Sequence, residues 1–335
     1  MRIGDRRAIR QSAAEKLAQA KENPRKLVLL HTGAALALST LLTVVNFILT
    51  RQIDATGGLS GLGSRAVLET ARTMLQYASA VLLPFWELGF VFAAIQLARG
   101  QKAKPVTLLE GFRRFFPALR LMLLRLVLYI GIILACANFS ATIFALTPFV
   151  EPMMEMLEPM INSSSPQDVQ VLLEQLNPEQ LLQMMWPVWV IFAVLCVLLL
   201  VPFFYRLRMA EFILMDVPKT GAFAAMAKSN RIMRRSCWKL FRLDLSFWWF
   251  YGLRVILTVI CYGDLLVDKL GISLPIGKDI RFFLFYILYA LCQLGLDTLV
   301  WGHVKTTYAV AYDTLLAQSG EVRKPVQEPN PWQYQ

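Results

Sequence analysis

The residues best suited to chemistry in this sequence are a few charges set inside long apolar runs. Glu87 and Arg254 lie near the middle of two such runs, Asp297 lies between the middle and the end of a third, and Asp244 opens the run that holds Arg254. Carboxylates alone can act as general acid and base. A charge at membrane depth is costly and usually faces the bundle interior, where it marks a site or finds a partner. Glu87, Arg254, Asp297 and Asp244 are therefore the candidate intramembrane polar site. Helices rise 1.5 Å per residue, so Glu87 and Arg254 fall at similar depth and are expected to pair. Asp297, about one turn from that level, is the competing partner for Arg254. Pro84 stands one turn before Glu87 and can free a backbone carbonyl there. Arg125 lies about two turns into its run and is expected to snorkel to the interface.

Recognisable catalytic motifs are missing. The sequence has no HExxH, no GxSxG, no Walker loop and no CxxC. No catalytic, cofactor-binding or metal-ligating residue is assigned, and no cofactor is expected. His31 and His303 sit near the ends of different runs and form no metal-binding spacing. Of the five cysteines, Cys136, Cys196, Cys261 and Cys292 fall within apolar runs and read as packed small side chains. The glycines between Gly57 and Gly63 lack the Gly-Lys-Ser/Thr ending of a nucleotide loop and read as a flexible turn.

The elements that must hold these charges are membrane helices. Of the 335 residues, 56% are hydrophobic and 17% charged, with mean hydropathy +0.50. A membrane helix needs roughly 20 apolar residues. Six runs qualify: Leu27–Thr50, Gln76–Ala98, Leu119–Leu146, Trp186–Tyr205, Leu243–Tyr262 and Arg281–Gly302. They are continuously apolar, whereas barrel strands alternate. The expected fold is an all-α polytopic integral membrane protein, a bundle of about six transmembrane helices with amphipathic surface helices. The first run begins late and is long, so it is read as a retained helix and not a cleaved signal. The organisation divides into an amphipathic segment 1–26, a membrane domain 27–318 and a flexible tail 319–335.

Charge orients the bundle. The N-terminal tail, the second and fourth loops and the C-terminal tail together hold 25 Lys and Arg, and the other three loops hold five. The positive-inside rule then places both termini in the cytoplasm of a cell with the chain in its plasma or inner membrane. The net charge of +11 is explained by this edge placement, so nucleic acid is not expected as a partner. The expected partners are the lipid bilayer and its anionic inner-leaflet lipids; protein partners are not legible.

The loops carry further patterns. Residues 3–22 read as an amphipathic helix on the membrane surface, ended by Asn23-Pro24. The external loop, about 147–185, is acidic, and helix starts are expected at Ser165-Pro166-Gln167-Asp168 and Asn177-Pro178-Glu179-Gln180. Its Met153, Met154, Met156 and Met160 can in principle hold copper(I), but an amphipathic cap is the favoured reading. In the basic loop, about 206–242, Lys228, Arg231, Arg235, Lys239 and Arg242 follow spacings of 3, 4, 4 and 3. That places them on one helical face as the candidate anionic-lipid contact. Thr107 to Glu110 reads as a capping box.

Two stretches carry a resemblance. Leu88-Gly89-Phe90 through Leu97-Ala98-Arg99-Gly100, then Glu110-Gly111-Phe112, form the first. Ala227-Lys228-Ser229 through Met233, then Trp238 to Phe247, form the second. They are similar to the bacterial multi-pass membrane proteins called domain of unknown function 975, over roughly Arg7 to Leu316. The resemblance implies a bacterial inner or plasma membrane protein and carries over no activity and no catalytic residue. The favoured function is a non-enzymatic membrane bundle that scaffolds, regulates or passes a small solute or lipid. The alternative is a membrane-embedded enzyme using Glu87, Asp297 and Asp244.

Overall fold

A computed structural model describes residues 5–20, 23–55, 62–148, 150–151, 154–155, 158, 178–217, 219–269 and 277–320. The Gly57–Gly61 turn, the Ser165 helix start, Met153, Met156 and Met160, and the tail beyond 320 lie outside those residues. The described elements are helical: α1 (Arg6–Ala18), α2 (Pro24–Ala55), α3 (Leu62–Ala98), a 3₁₀ turn (Pro105–Leu109), α4 (Glu110–Arg113), α5 (Phe115–Ala145), α6 (Pro178–Leu207), α7 (Ala210–Asp216), α8 (Ala222–Met233), α9 (Cys237–Asp244), a second 3₁₀ turn (Leu245–Phe247), α10 (Trp248–Cys261), α11 (Gly263–Lys269) and α12 (Lys278–Gln318). Six helical stretches are long and apolar enough to cross a membrane: Pro24–Ile53, Gly63–Ala98, Phe115–Ala145, Met185–Asp216, Cys237–Cys261 and Lys278–Gln318. The protein is an all-α polytopic membrane bundle.

Several boundaries differ from the hydropathy reading. α12 continues sixteen residues past Gly302, because Lys305, Thr306, Thr307 and Asp313 are polar yet packed against other helices. α6 starts at Pro178, as expected from a proline at the first helical position. The fifth span is not one helix from Leu243. It is α9 and α10 joined by the 3₁₀ turn at Leu245–Phe247, where Ser246 Oγ donates to the Leu243 carbonyl at 2.6 Å. The capping box at Thr107 does not form. Thr107 lies inside the 3₁₀ turn and donates to the Lys104 carbonyl, and the Glu110 carboxylate takes Arg113 at 2.8 Å.

The chain forms two compact units, residues 1–119 with 208–335, and residues 120–207. In the first, Leu27, Val28, Phe90, Ala93, Leu97 and Leu108 form a core joined by Leu17, Trp86 and Trp301. α1 contributes to this unit directly. Its Ile9 and Ala13 are fully buried, Arg10 stacks over Phe247 at 4.9 Å, and Arg6 donates to the Arg242 carbonyl at 3.3 Å. The segment expected to lie on the bilayer is thus docked on protein, because its small apolar face finds a matching surface on α12 and α3.

Two glycines set how closely α3 meets the chain after it. A Cβ at Gly89 would stand 1.8 Å from the Leu108 carbonyl oxygen, and one at Gly111 would stand 1.9 Å from the Phe85 carbonyl oxygen. Only glycine permits this backbone-to-backbone packing. Both glycines belong to the first stretch quoted above, and the close contact gives that stretch a physical reason. The packing brings Phe85 within 4.6 Å of Phe115 and 5.9 Å of Phe112, ring centroid to ring centroid.

In the second unit, the α5 and α6 helices expose Leu126, Val127, Val197 and Leu198. Such surfaces belong in hydrocarbon, where helices associate by packing and polar contacts and not by the hydrophobic effect. Arg125 does not snorkel. Its guanidinium donates to the Leu207 carbonyl at 2.5 Å, the last carbonyl of α6, where a cation also meets the negative helix end. Cys136 and Cys196 are free thiols that lie near each other.

Two outcomes check this architecture. Gly89→Ala and Gly111→Ala should each destabilise the folded protein by about 1–3 kcal/mol or more, as overpacking does, whereas Gly131→Ala, with open space around it, should leave stability unchanged or raise it by up to about 1 kcal/mol. Thermal denaturation in detergent reads both. A bilayer-permeant oxidant should join Cys136 to Cys196, seen as loss of those two thiols in peptide mapping; their persistence as free thiols would refute the contact.

Candidate functional site

The candidate charges are organised by one face of α12. Gln293, Asp297, Trp301, Lys305, Tyr308 and Tyr312 recur at spacings of 4, 4, 4, 3 and 4, which puts them in one helical stripe. Each polar member of that stripe meets a polar partner.

At the apolar end of the stripe, Arg254 of α10 donates to both oxygens of Asp297, Nε at 3.2 Å and a terminal nitrogen at 2.7 Å. Gln293 Nε2 donates to the same carboxylate at 2.7 Å. The Arg254 guanidinium also sits 4.5 Å from the Trp301 ring centre, a cation–π contact that partly replaces lost hydration. Two turns along, Lys305 is ion-paired with Glu87 of α3. Its ammonium lies 4.7 Å from the Trp301 ring centre. His31 of α2 places Nε2 3.5 Å from Glu87 Oε2 and stacks against Trp86 and Phe90. Trp86 Nε1 donates to the His31 carbonyl at 2.9 Å. Among the described residues neither His31 ring nitrogen has a hydrogen-bond partner, although the residue is only 5% exposed.

The expected Glu87–Arg254 pair is therefore replaced by two pairs, Glu87–Lys305 and Arg254–Asp297. The reason is the length of α12. Lys305 was counted among the basic residues of the C-terminal tail because it follows the apolar run, but the helix carries it back against α3.

Asp244, the last residue of α9, meets Arg208 in an ion pair and accepts the phenolic proton of Tyr308. Since Tyr308 has one proton and Asp244 holds it, Tyr251 is the donor in the 3.1 Å contact between the two hydroxyls. The Arg208 guanidinium lies 4.3 Å from the Tyr308 ring centre. The last group was not foreseen from sequence. Arg99, just past α3, binds Asp216 of α7 at 2.6 and 3.0 Å and Asp313 of α12 at 2.8 to 3.3 Å. Tyr312 donates to Asp216 Oδ2 at 3.0 Å. Burial works against the Arg99 cation, but the two carboxylates outweigh it and hold its pKa above the usual value. The signal that would have found this group is the periodicity of Tyr308, Tyr312 and the small apolar residues between them, which continues the helix past Gly302.

The second candidate set divides. Lys228 and Arg231 lie on α8, Lys239 and Arg242 on α9, and Arg235 in the turn between them. The single continuous face does not form, because Ser236 breaks the helix and starts the next one, its carbonyl taking the Leu240 amide at 3.0 Å. Arg231, Arg235, Lys239 and Arg242 are exposed and Lys228 is half-buried.

Among the described residues no group of three His, Cys, Asp or Glu could hold a metal ion. Clefts of about 810, 350 and 240 Å³ lie among the described residues, and none of these is lined by Glu87, Asp244, Asp297, Asp216 or Asp313. A family described as Protein of unknown function (DUF975) matches residues 1–318. The chain belongs to this family. No curated protein and no solved structure matches it. The stretches through which the sequence resembles the DUF975 family hold the close-packed glycines Gly89 and Gly111, the clamp residue Arg99 and the half-buried Asp244, so in this DUF975 chain they map onto packing and ion pairing.

Losing one member of a buried pair leaves its partner's charge uncompensated, which typically costs about 3–5 kcal/mol. Glu87→Lys and Lys305→Glu should each lower folded yield in detergent. Their combination should recover most of it, and Glu87→Arg with Arg254→Glu should recover none. Recovery by the Arg254 combination alone would reverse the assignment of partners.

Proposed function

We propose that the protein is a non-enzymatic membrane bundle whose charged residues clamp its helices together. One observation carries this reading: Glu87, Asp244 and Asp297 are each engaged by a basic residue, and none lines a described cleft. A catalytic acid needs access to substrate as well as a suitable pKa. The acids here face Lys305, Arg208 and Arg254, which supports a structural role. The His31–Glu87 contact supports the enzyme reading most, since a base and an acid adjoin there without a hydrogen bond between them.

The orientation proposed is with both ends of the membrane domain in the cytoplasm, supported by the concentration of Lys and Arg in the N-terminal tail and the second and fourth loops. On that side Arg231, Arg235, Lys239 and Arg242 are positioned to meet anionic headgroups.

The swapped pair separates the two functional classes. A structural ion pair keeps its role when its ends are exchanged, and a catalytic carboxylate does not. A strain lacking the protein should regain its normal lipid and metabolite profile when given the Glu87→Lys, Lys305→Glu variant; persistence of an accumulated metabolite would support an enzyme. In a cysteine-free background, a membrane-impermeant thiol reagent should label Glu155→Cys and spare Ser319→Cys in intact cells. The opposite pattern would overturn the orientation.

A further inference from the structure

A large cleft lies apart from the charged ladder. It is a groove of about 810 Å³ along α2, lined by Leu30, Gly33, Ala34, Ala37, Leu97 and Pro105 among others. Its small residues leave real space: a Cβ added at Gly33 meets no atom within 4 Å. The lining begins at Asn23 and Lys26, in the first turn of the span, and reaches Ala37. At 1.5 Å per residue that is a rise of roughly 17 Å from Lys26, close to half of a hydrocarbon core about 30 Å thick. The groove therefore runs from the interface to about the middle of the bilayer, the reach of an acyl chain from one leaflet.

The mouth of the groove has a charge. Lys26 lines it, and Lys104 stands between the lining residues Ala103 and Pro105. Both lysines are exposed and have no carboxylate partner among the described residues. Among the described residues no Asp or Glu lines the groove. The amino end of α2, capped by Asn23 Oδ1 through the Arg25 amide at 3.0 Å, adds partial positive charge at the same level. An apolar groove facing hydrocarbon accepts a chain, and a cationic mouth selects a negative headgroup.

We propose that this groove binds one anionic glycerophospholipid, with an acyl chain along Gly33, Ala34 and Ala37 and the phosphate against Lys26 and Lys104. The site is separate from the α8–α9 basic residues and does not depend on whether the bundle is an enzyme.

The test uses the full-length protein in mild detergent, with native mass spectrometry after titration with phosphatidylglycerol or phosphatidylcholine. The unmodified protein should retain phosphatidylglycerol in preference to phosphatidylcholine. Gly33→Trp should abolish retention by filling the groove, and Gly131→Trp, also in open space, should not. Lys26→Ala and Lys104→Ala should each weaken phosphatidylglycerol binding by roughly fivefold and leave phosphatidylcholine unchanged. These lysines are exposed, so their variants fold and keep the test decisive even where the tryptophan variant does not accumulate. Equal retention of both lipids by the unmodified protein, no retention at all, or unchanged phosphatidylglycerol binding in the lysine variants would overturn the proposal.

Discussion

A charge inside a bilayer has to be answered by another polar group, and in this protein the answers converge on one helix. Asp297, Lys305, Tyr308, Tyr312 and Asp313 of α12 engage Arg254 of α10, Glu87 of α3, Asp244 of α9, Asp216 of α7 and Arg99 at the end of α3. An isolated charge of this kind costs roughly 2.5–3.5 kcal/mol on insertion scales. The other helices of the larger unit are therefore tied to α12 not only by packing but by the cost of leaving any one of these groups alone. Trp301 makes two neighbouring pairs compatible, since Arg254 and Lys305 both rest on its ring.

The second constraint is steric. Backbone contact at Gly89 and Gly111 holds α3 against the 3₁₀ turn and α4, and Arg114 donates to the Leu214 carbonyl at 2.6 Å, tying the same corner to α7. Arg99 follows at the end of α3, just before Gly100, whose positive φ of 70° lets the chain leave the helix. The position of Arg99 between Asp216 and Asp313 thus depends on the glycine contact ten residues earlier. Packing and electrostatics are one device here.

The spans were legible because a hydrocarbon environment demands long apolar runs, and six of them stand out. The acids were legible because a charge inside such a run is conspicuous. Their partners were less so. Lys305, Asp313, Arg99, Arg208 and Asp216 fall where hydropathy drops, and hydropathy treats a polar residue as the end of a span whether water or another side chain satisfies it. Asp297 was rightly placed within reach of Arg254, but choosing between it and Glu87 required knowing that α12 runs on to Gln318. The basic stripe from Lys228 to Arg242 kept its composition and lost its continuity at Ser236, a break that spacing alone could not reveal. His31 showed nothing unusual in sequence; only the fold brings it beside Glu87.

The ladder does more than neutralise charge, because it specifies geometry that apolar packing would leave loose. Between helices in lipid there is no hydrophobic driving force, and an apolar helix can rotate or slide against its neighbours at little cost. Turning α12 by one residue, about 100°, would move Asp297, Lys305 and Tyr308 away from their partners together. Sliding it by one turn would carry Lys305 a turn away from Glu87 and Asp297 a turn away from Arg254. Each displacement strands several charges at once, and those costs add. A sequence can secure helix rotation and depth in this way while leaving the outward faces of its spans to lipid, as the exposed Leu284, Ile287, Leu288 and Leu291 of α12 do. The polar stripe is thus the part of α12 that identifies its neighbours, and the apolar remainder only keeps it in the membrane.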